Sequence, residues 1–225
     1  MRFLSLRCKA VIFDLDGTLI DTEKLYRKYW PEALLHFGYE LSDERALMLR
    51  SLGRPFAPEQ FRKWFGEDFD YPAVRAYRGK LIEAHIAREG VAAKPHAKEA
   101  LCKLREKGYI VAIATATDPE RTERYLKLAG LSGLIPTVIS ATMVSQGKPA
   151  PDIYLYACRE LGLAPGECIA VEDAPNGVKS AYEAGLKVVM IPDQTEPEED
   201  LQRMLYACAG SLAEIPDLAD GMREA

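Results

Sequence analysis

Residues 9–22 read Lys9-Ala-Val-Ile-Phe-Asp-Leu-Asp-Gly-Thr-Leu-Ile-Asp-Thr22. Ala10 to Phe13 is a short apolar run, largely β-branched and aromatic, of the kind that forms a strand buried on both faces in a parallel sheet. It ends abruptly in Asp14, Leu15 and Asp16. Two carboxylates two residues apart point the same way while the chain is still extended. Gly17 then lets the backbone turn away. The expectation is a pair of acids at the carboxyl end of a central strand, where open α/β sheets place their ligands.

Downstream of this strand the periodicity changes. Leu25, Tyr26, Tyr29, Trp30, Ala33, Leu34 and Phe37 recur at helical spacing behind a possible cap at Asp21-Thr22, and Gly38 follows as a stop. Pro31 inside this pattern predicts a kink or break near Arg27–Trp30. Ser42 caps a second helix from Asp43 to about Ser51. Pro58 opens a third through Phe65, and a fourth runs from about Tyr71 to Glu89. From Pro95 onward strands and helices alternate. A helix face at Ala97–Leu104 precedes strands at Tyr109–Ala114, Thr137–Ser140, Cys168–Val171 and Lys187–Ile191. Helices at Pro119–Ala129, Pro151–Leu161 and Gly177–Ala184 lie between them, and the acidic run Glu196–Asp200 starts another. This predicts an α/β fold, a doubly wound, Rossmann-like parallel sheet, interrupted after its first strand by an all-helical insertion. The boundaries expected are a core of residues 1–21 and 93–225 and a helical cap of 22–92, hinged near Thr22 and Ala93–Pro95 and hanging over the acidic pair as a lid.

Three later stretches bring chemistry to the ends of predicted strands. Ile113-Ala-Thr-Ala-Thr-Asp-Pro119 places Thr115 beside the free backbone N–H groups of a helix start, with Asp118 as cap and Pro119 as first helical residue, which makes a phosphate cradle. Gln146-Gly-Lys-Pro-Ala-Pro-Asp152 holds Lys148 on a loop stiffened by two prolines, as a point charge for a phosphate. Cys168-Ile-Ala-Val-Glu-Asp-Ala-Pro-Asn-Gly177 delivers Glu172 and Asp173 at a strand end, oxygen ligands suited to Mg²⁺. Asp14, Asp16, Glu172 and Asp173 against one lysine leave an excess of negative charge that a divalent ion offsets. Such crowding raises the proton affinity of one carboxylate, with Asp16 the expected one.

These four stretches, in this order, resemble the four motifs of the haloacid dehalogenase (HAD) superfamily, in the branch with a helical cap after the first motif. The resemblance covers nearly the whole chain, the cap by pattern more than by motif. It implies a Mg²⁺-dependent phosphatase that hydrolyses a small phosphate monoester, a sugar phosphate or related metabolite, through an aspartyl phosphate. Asp14 is then the nucleophile and Asp16 the acid and base. Thr115, Ala116 and Lys148 hold the phosphoryl group. Asp14, the main-chain carbonyl of Asp16, Glu172 and Asp173 hold the metal. In the cap, Arg54, Arg78 and Tyr26 are the residues expected to meet the substrate. A hexose-phosphate mutase of the β-phosphoglucomutase kind is the alternative. Those enzymes carry a histidine where Tyr26 stands and tend to carry valine where Thr18 stands. A non-catalytic phosphoacceptor or binding module is a further one.

Composition fits this reading. Among 225 residues 48% are hydrophobic and 28% charged, with net charge −5 and pI about 5.4. That gives no footprint for nucleic acid or an anionic membrane. No apolar run approaches the ~20 residues of a membrane span, and Met1–Arg7 lacks a secretion signal. The five scattered cysteines read as reduced thiols. His36, His85 and His96 show no metal or triad spacing and read as structural. The expectation is a monomeric cytoplasmic enzyme.

Overall fold

The computed structural model describes residues 7–224; the reading of the first six residues lies outside them. The strands are β1 (Ala10–Phe13), β2 (Ile110–Thr115), β3 (Thr137–Ser140), β4 (Cys168–Glu172), β5 (Lys187–Met190) and β6 (Ala207–Cys208). They form one parallel sheet in the order β3-β2-β1-β4-β5-β6. β1 is central: Phe13 pairs with Ile113 on one side and Val171 on the other. The residues that follow these three, Asp14, Ala114 and Glu172, therefore stand side by side at the carboxyl end of the sheet.

Alternation along the strands splits the core in two. Val11, Phe13, Val111, Ile113, Ile169 and Val171 face one layer. There they meet α5 (Ala97–Glu106), α6 (Pro119–Leu128) and α10 (Ile215–Glu224). Ala10, Ile12, Ala112, Ala114, Ala170 and Val188 face the other layer, α7 (Asp152–Leu161), α8 (Pro175–Glu183) and α9 (Glu199–Gln202). Burial on both faces explains why these strands read as continuous apolar runs. β6 has no counterpart in the sequence reading, because a two-residue strand carries no periodicity; α10 is a further element that the reading did not include.

Between β1 and α5 lie only helices: α1 (Glu23–His36), α2 (Asp43–Met48), α3 (Phe56–Phe65) and α4 (Tyr71–Glu89). They build an apolar cluster of their own around Trp30, Leu34, Phe61 and Tyr71. The chain leaves and re-enters the sheet layer along paired strands of linker. Asp21 N donates to Ala92 O, Lys94 N donates to Leu19 O, and Ile20 bridges Ala93.

Two local expectations are corrected. The helix α1 runs without interruption through Pro31. Burial of Trp30, Ala33 and Leu34, and the hydrogen bond of Tyr29 to His85, hold it across the missing backbone bond. Thr22 does not cap α1 with its side chain; its hydroxyl is used elsewhere. Ser42 and Asp118 do cap, accepting from Arg45 N and Arg121 N. Cys8, Cys158 and Cys168 are buried.

Candidate active site

Asp14 is buried and its Oδ1 accepts from Lys148 Nζ at 2.5 Å. The same ammonium donates to Glu172 Oε1 at 2.6 Å and to the Ala114 carbonyl at 2.9 Å. All three of its protons are thereby used. Burial alone would lower the lysine's proton affinity, but the two carboxylates outweigh it and hold Lys148 charged.

Asp16 faces hydroxyls instead. Its Oδ1 accepts from Thr22 Oγ1 at 2.5 Å and Tyr26 OH at 3.1 Å, and its Oδ2 accepts from Thr117 Oγ1 at 2.7 Å. The two aspartates of the first motif thus stand in different surroundings, one beside a cation and one among neutral donors. Burial raises Asp14 well above the usual carboxylate range, with Glu172, Asp173 and Asp16 adding to the rise and Lys148 opposing it. Burial and the Glu172 charge push Asp173 up to about 7. Burial, then Asp173 and Asp16, raise Glu23.

One carboxylate oxygen from each of Asp14, Glu172 and Asp173 lies within 4.8 Å of the others. Each residue also keeps one buried oxygen without a hydrogen bond: Asp14 Oδ2, Glu172 Oε2 and Asp173 Oδ2. Buried polar atoms without partners are costly. Three clustered buried carboxylates that keep unpartnered oxygens are the donor set a hard divalent cation takes, so the residues fit a Mg²⁺. The carboxylate of Asp16 stands outside this set, and the expectation for Asp16 concerned its main-chain carbonyl alone.

Thr115 is fully buried at the end of β2, and its hydroxyl accepts from Thr117 N at 3.0 Å. Ala116 and Thr117 line a cavity of about 230 Å³ together with Asp14 and Asp16. Tyr26, Arg54 and Arg78 line the same cavity from the helical side. Arg54 is exposed. The guanidinium of Arg78 lies 3.9 Å from the Trp30 ring and 5.0 Å from the Tyr26 ring, with its Nε buried and unpartnered. Of the residues singled out in the sequence, Asp14, Asp16, Ala116, Tyr26, Arg54 and Arg78 border this cavity; Thr115, Lys148, Glu172 and Asp173 are buried and do not line it.

Several polar groups escaped the sequence reading. Thr117 stands two residues after Thr115, and that alternation was the available signal. Glu23 and Arg50 are buried and line the cavity. Arg50 donates to the Thr195 hydroxyl and keeps Nη1 buried without a partner. Tyr154, in α7, donates to Glu172 Oε1 at 2.5 Å; its spacing is that of a core residue. His85 pairs with Tyr29, and His36 stacks on Tyr77.

Comparison with known proteins places this geometry. Residues 8–185 match the family model described as haloacid dehalogenase-like hydrolase. Hexitol phosphatase A of Escherichia coli K12 is 36% identical over 205 residues, covering 90% of this chain and 92% of the relative. The crystal structure of a CbbY variant from Rhodobacter sphaeroides in complex with xylulose-1,5-bisphosphate is similar with a TM-score of 0.76 at 25% identity, covering 92% and 96% of the two chains. A β-phosphoglucomutase from Clostridium difficile shares the fold, with a TM-score of 0.80 at 17% identity over 97% of this chain and all of the other.

Proposed function

Because the chain belongs to the haloacid dehalogenase-like hydrolases and is a phosphatase of that family, we propose that it hydrolyses a small phosphate monoester, a sugar phosphate or related metabolite, through an aspartyl phosphate on Asp14. The observation that carries this reading is the division of labour between the two aspartates. Asp14 has one oxygen on Lys148 and the other bare, while Asp16 is gripped by three hydroxyls.

In the first step an Asp14 oxygen forms a bond to phosphorus as the ester oxygen leaves, and Asp16 gives the departing alkoxide its proton. In the second, Asp16 takes a proton from water as the water displaces Asp14 from phosphorus. Lys148, the Thr115 hydroxyl and the backbone of Ala116 hold the phosphoryl oxygens while their charge is redistributed. A Mg²⁺ held by Asp14, Glu172, Asp173 and the Asp16 carbonyl would neutralise the acid cluster and the incoming phosphate. Residues 22–92 act as a cap on a core of 1–21 and 93–225, closing over the cavity and excluding bulk water. From that cap Arg54, Arg78 and Arg50 reach the part of the substrate beyond the scissile phosphate, and Tyr26 supports Asp16. We read the enzyme as a cytoplasmic monomer; no helix among the described residues is long and apolar enough to cross a membrane.

The test is phosphate release from a panel of small esters, with and without Mg²⁺, including a hexitol phosphate, fructose 1-phosphate and β-glucose 1-phosphate. Mg²⁺-dependent release from one class supports the reading. Conversion of β-glucose 1-phosphate to glucose 6-phosphate with a bisphosphate primer, and no release, would make the enzyme a mutase. Phosphorylation of Asp14 that persists without turnover would make it an acceptor.

A further inference from the structure

Tyr154 is one of the largest fully buried side chains. It sits in the first turn of α7, six residues after Lys148 on the same stiff segment. A buried phenol needs a partner for its hydroxyl. The partner here is a carboxylate that the mechanism uses: Glu172 Oε1, at 2.5 Å. The same oxygen accepts from Lys148 Nζ, and that ammonium lies 5.3 Å from the Tyr154 ring centroid. Tyr154, Lys148 and Glu172 form a closed triangle. The other Glu172 oxygen, Oε2, has no hydrogen bond and lies over the bare Cα of Gly177.

The two donors on Glu172 Oε1 are unequal. Lys148 is shared with Asp14 and with the Ala114 carbonyl, and in the proposed reaction it must also meet phosphoryl oxygens. It cannot hold Glu172 at full strength throughout a turnover. Tyr154 has no other partner to serve and no freedom to move. We propose that Tyr154 is a positioning residue: its hydroxyl pins Glu172 Oε1 so that the carboxylate keeps its place beside Asp14 and Asp173 as a divalent-ion ligand, whatever Lys148 is doing. Partners of metal-ligating carboxylates fix ligand orientation, and their loss weakens metal affinity about 10–100-fold. The inference rests on the divalent-ion dependence proposed above.

Tyr154→Phe removes the hydroxyl and keeps the ring. Direct titration of the full-length protein with Mn²⁺ and with Mg²⁺, by calorimetry or by the electron paramagnetic resonance of free Mn²⁺, reads the affinity without turnover. The expected result is a Kd raised about 10-fold or more in Tyr154→Phe. The metal concentration for half-maximal activity should rise in parallel, while KM for the ester at saturating metal changes little. In a Glu172→Gln background the same substitution should add no further loss, because Tyr154 acts through the Glu172 carboxylate. An unchanged Kd in Tyr154→Phe overturns the proposal and leaves the tyrosine a core residue. Equal losses with and without the Glu172 carboxylate also overturn it, since packing alone would then be responsible. Wild-type protein that binds neither ion overturns the metal reading itself and this inference with it.

Discussion

Gly53 and Gly147 face each other with no side chain between them. A Cβ added at Gly53 would come within 2.7 Å of the Gly147 Cα and 3.0 Å of Lys148 N. The bare contact lets two backbone hydrogen bonds form across it, Gly53 N to Lys148 O and Gly147 N to Arg54 O, both 2.7 Å. The segment that carries Arg54 is thus seated directly on the loop that carries Lys148. Gly53→Ala has to push these strands of backbone apart. Misplacing reacting groups by an ångström can cost about 100-fold in rate. We expect kcat/KM to fall about 10–100-fold with unchanged far-ultraviolet circular dichroism; steady-state kinetics on the substrate class found in the panel would check it. Kinetics within twofold of wild type would mean the two loops do not need this contact for turnover.

Asp14→Asn keeps the shape of the proposed nucleophile and removes its charge. Turnover should fall by about 10³-fold or more, as removal of a nucleophile does. Phosphate release from the purified variant, well above the background of a mock preparation, would remove Asp14 from that role.

The clamp on Asp16 predicts a graded series. Thr117→Val deletes the single donor to Oδ2, at 2.7 Å. Tyr26→Phe deletes the longer of two donors to Oδ1, at 3.1 Å, with Thr22 remaining. Hydrogen bonds to charged groups contribute about 1.5–3 kcal/mol each. The expected order of kcat is wild type, then Tyr26→Phe lower by a few-fold, then Thr117→Val lower by about 10-fold. The reverse order would show that Tyr26, not Thr117, orients the acid.

The three central strands and the four acids were legible because β1, β2 and β4 are apolar runs that end in chemistry: Phe13 into Asp14, Ala114 into Thr115, Val171 into Glu172. The clamp was not, since the hydroxyls of Thr22 and Thr117 are far apart in sequence, on either side of the helical insertion, and meet only once β1 and β2 pair. Thr22 was read as a cap because Thr at a helix start ordinarily caps; a buried carboxylate six residues earlier is a stronger attraction. Tyr154 was invisible for the opposite reason. Its helical spacing is that of the core, and the core is where it lies. Arg50 lies just past the end of α2 at Met48, which the expected helix to about Ser51 overran, so its inward direction could not be read.

Asp173 gives the metal-free protein a pH signature. Its pKa is raised in the folded state to about 7 from an ordinary 3.8, so the folded protein binds more protons than the unfolded chain between those values. Stability from this group is full below about pH 4 and is lost as pH rises toward 7. Burial of Asp14 and Glu23 acts in the same direction. The lowered carboxylates, such as Asp43 and Asp217, are exposed and act weakly the other way. The Asp173 shift corresponds to roughly 4 kcal/mol at most. Melting temperature without divalent ions should therefore decline between pH 5 and 7.5, and Asp173→Asn should flatten that decline. Mg²⁺ should restore stability mainly at the upper end, where the ligands are ionised. A metal-free melting temperature that rises over this interval in wild type would contradict the account.

Gly177 sits inside α8, and glycine within a helix is ordinarily worse than alanine by about 1 kcal/mol. The usual stabilising exchange should fail here. A Cβ at position 177 would lie 2.0 Å from Glu172 Oε2 and 2.1 Å from its carboxyl carbon. Glu172 cannot yield easily, because Lys148 and Tyr154 hold its other oxygen. Either α8 moves off β4 or Glu172 leaves both donors. Overpacking of this kind costs about 1–3 kcal/mol, and the second route also spoils a divalent-ion ligand. Gly177→Ala should lower the melting temperature and weaken Mn²⁺ binding together, while alanine at Gly79, which meets nothing within 4 Å in α4, should be neutral or stabilising. Thermal denaturation of the two variants side by side decides it. A Gly177→Ala protein as stable as the Gly79→Ala one, with wild-type Mn²⁺ affinity, would show that Glu172 has room the geometry denies it.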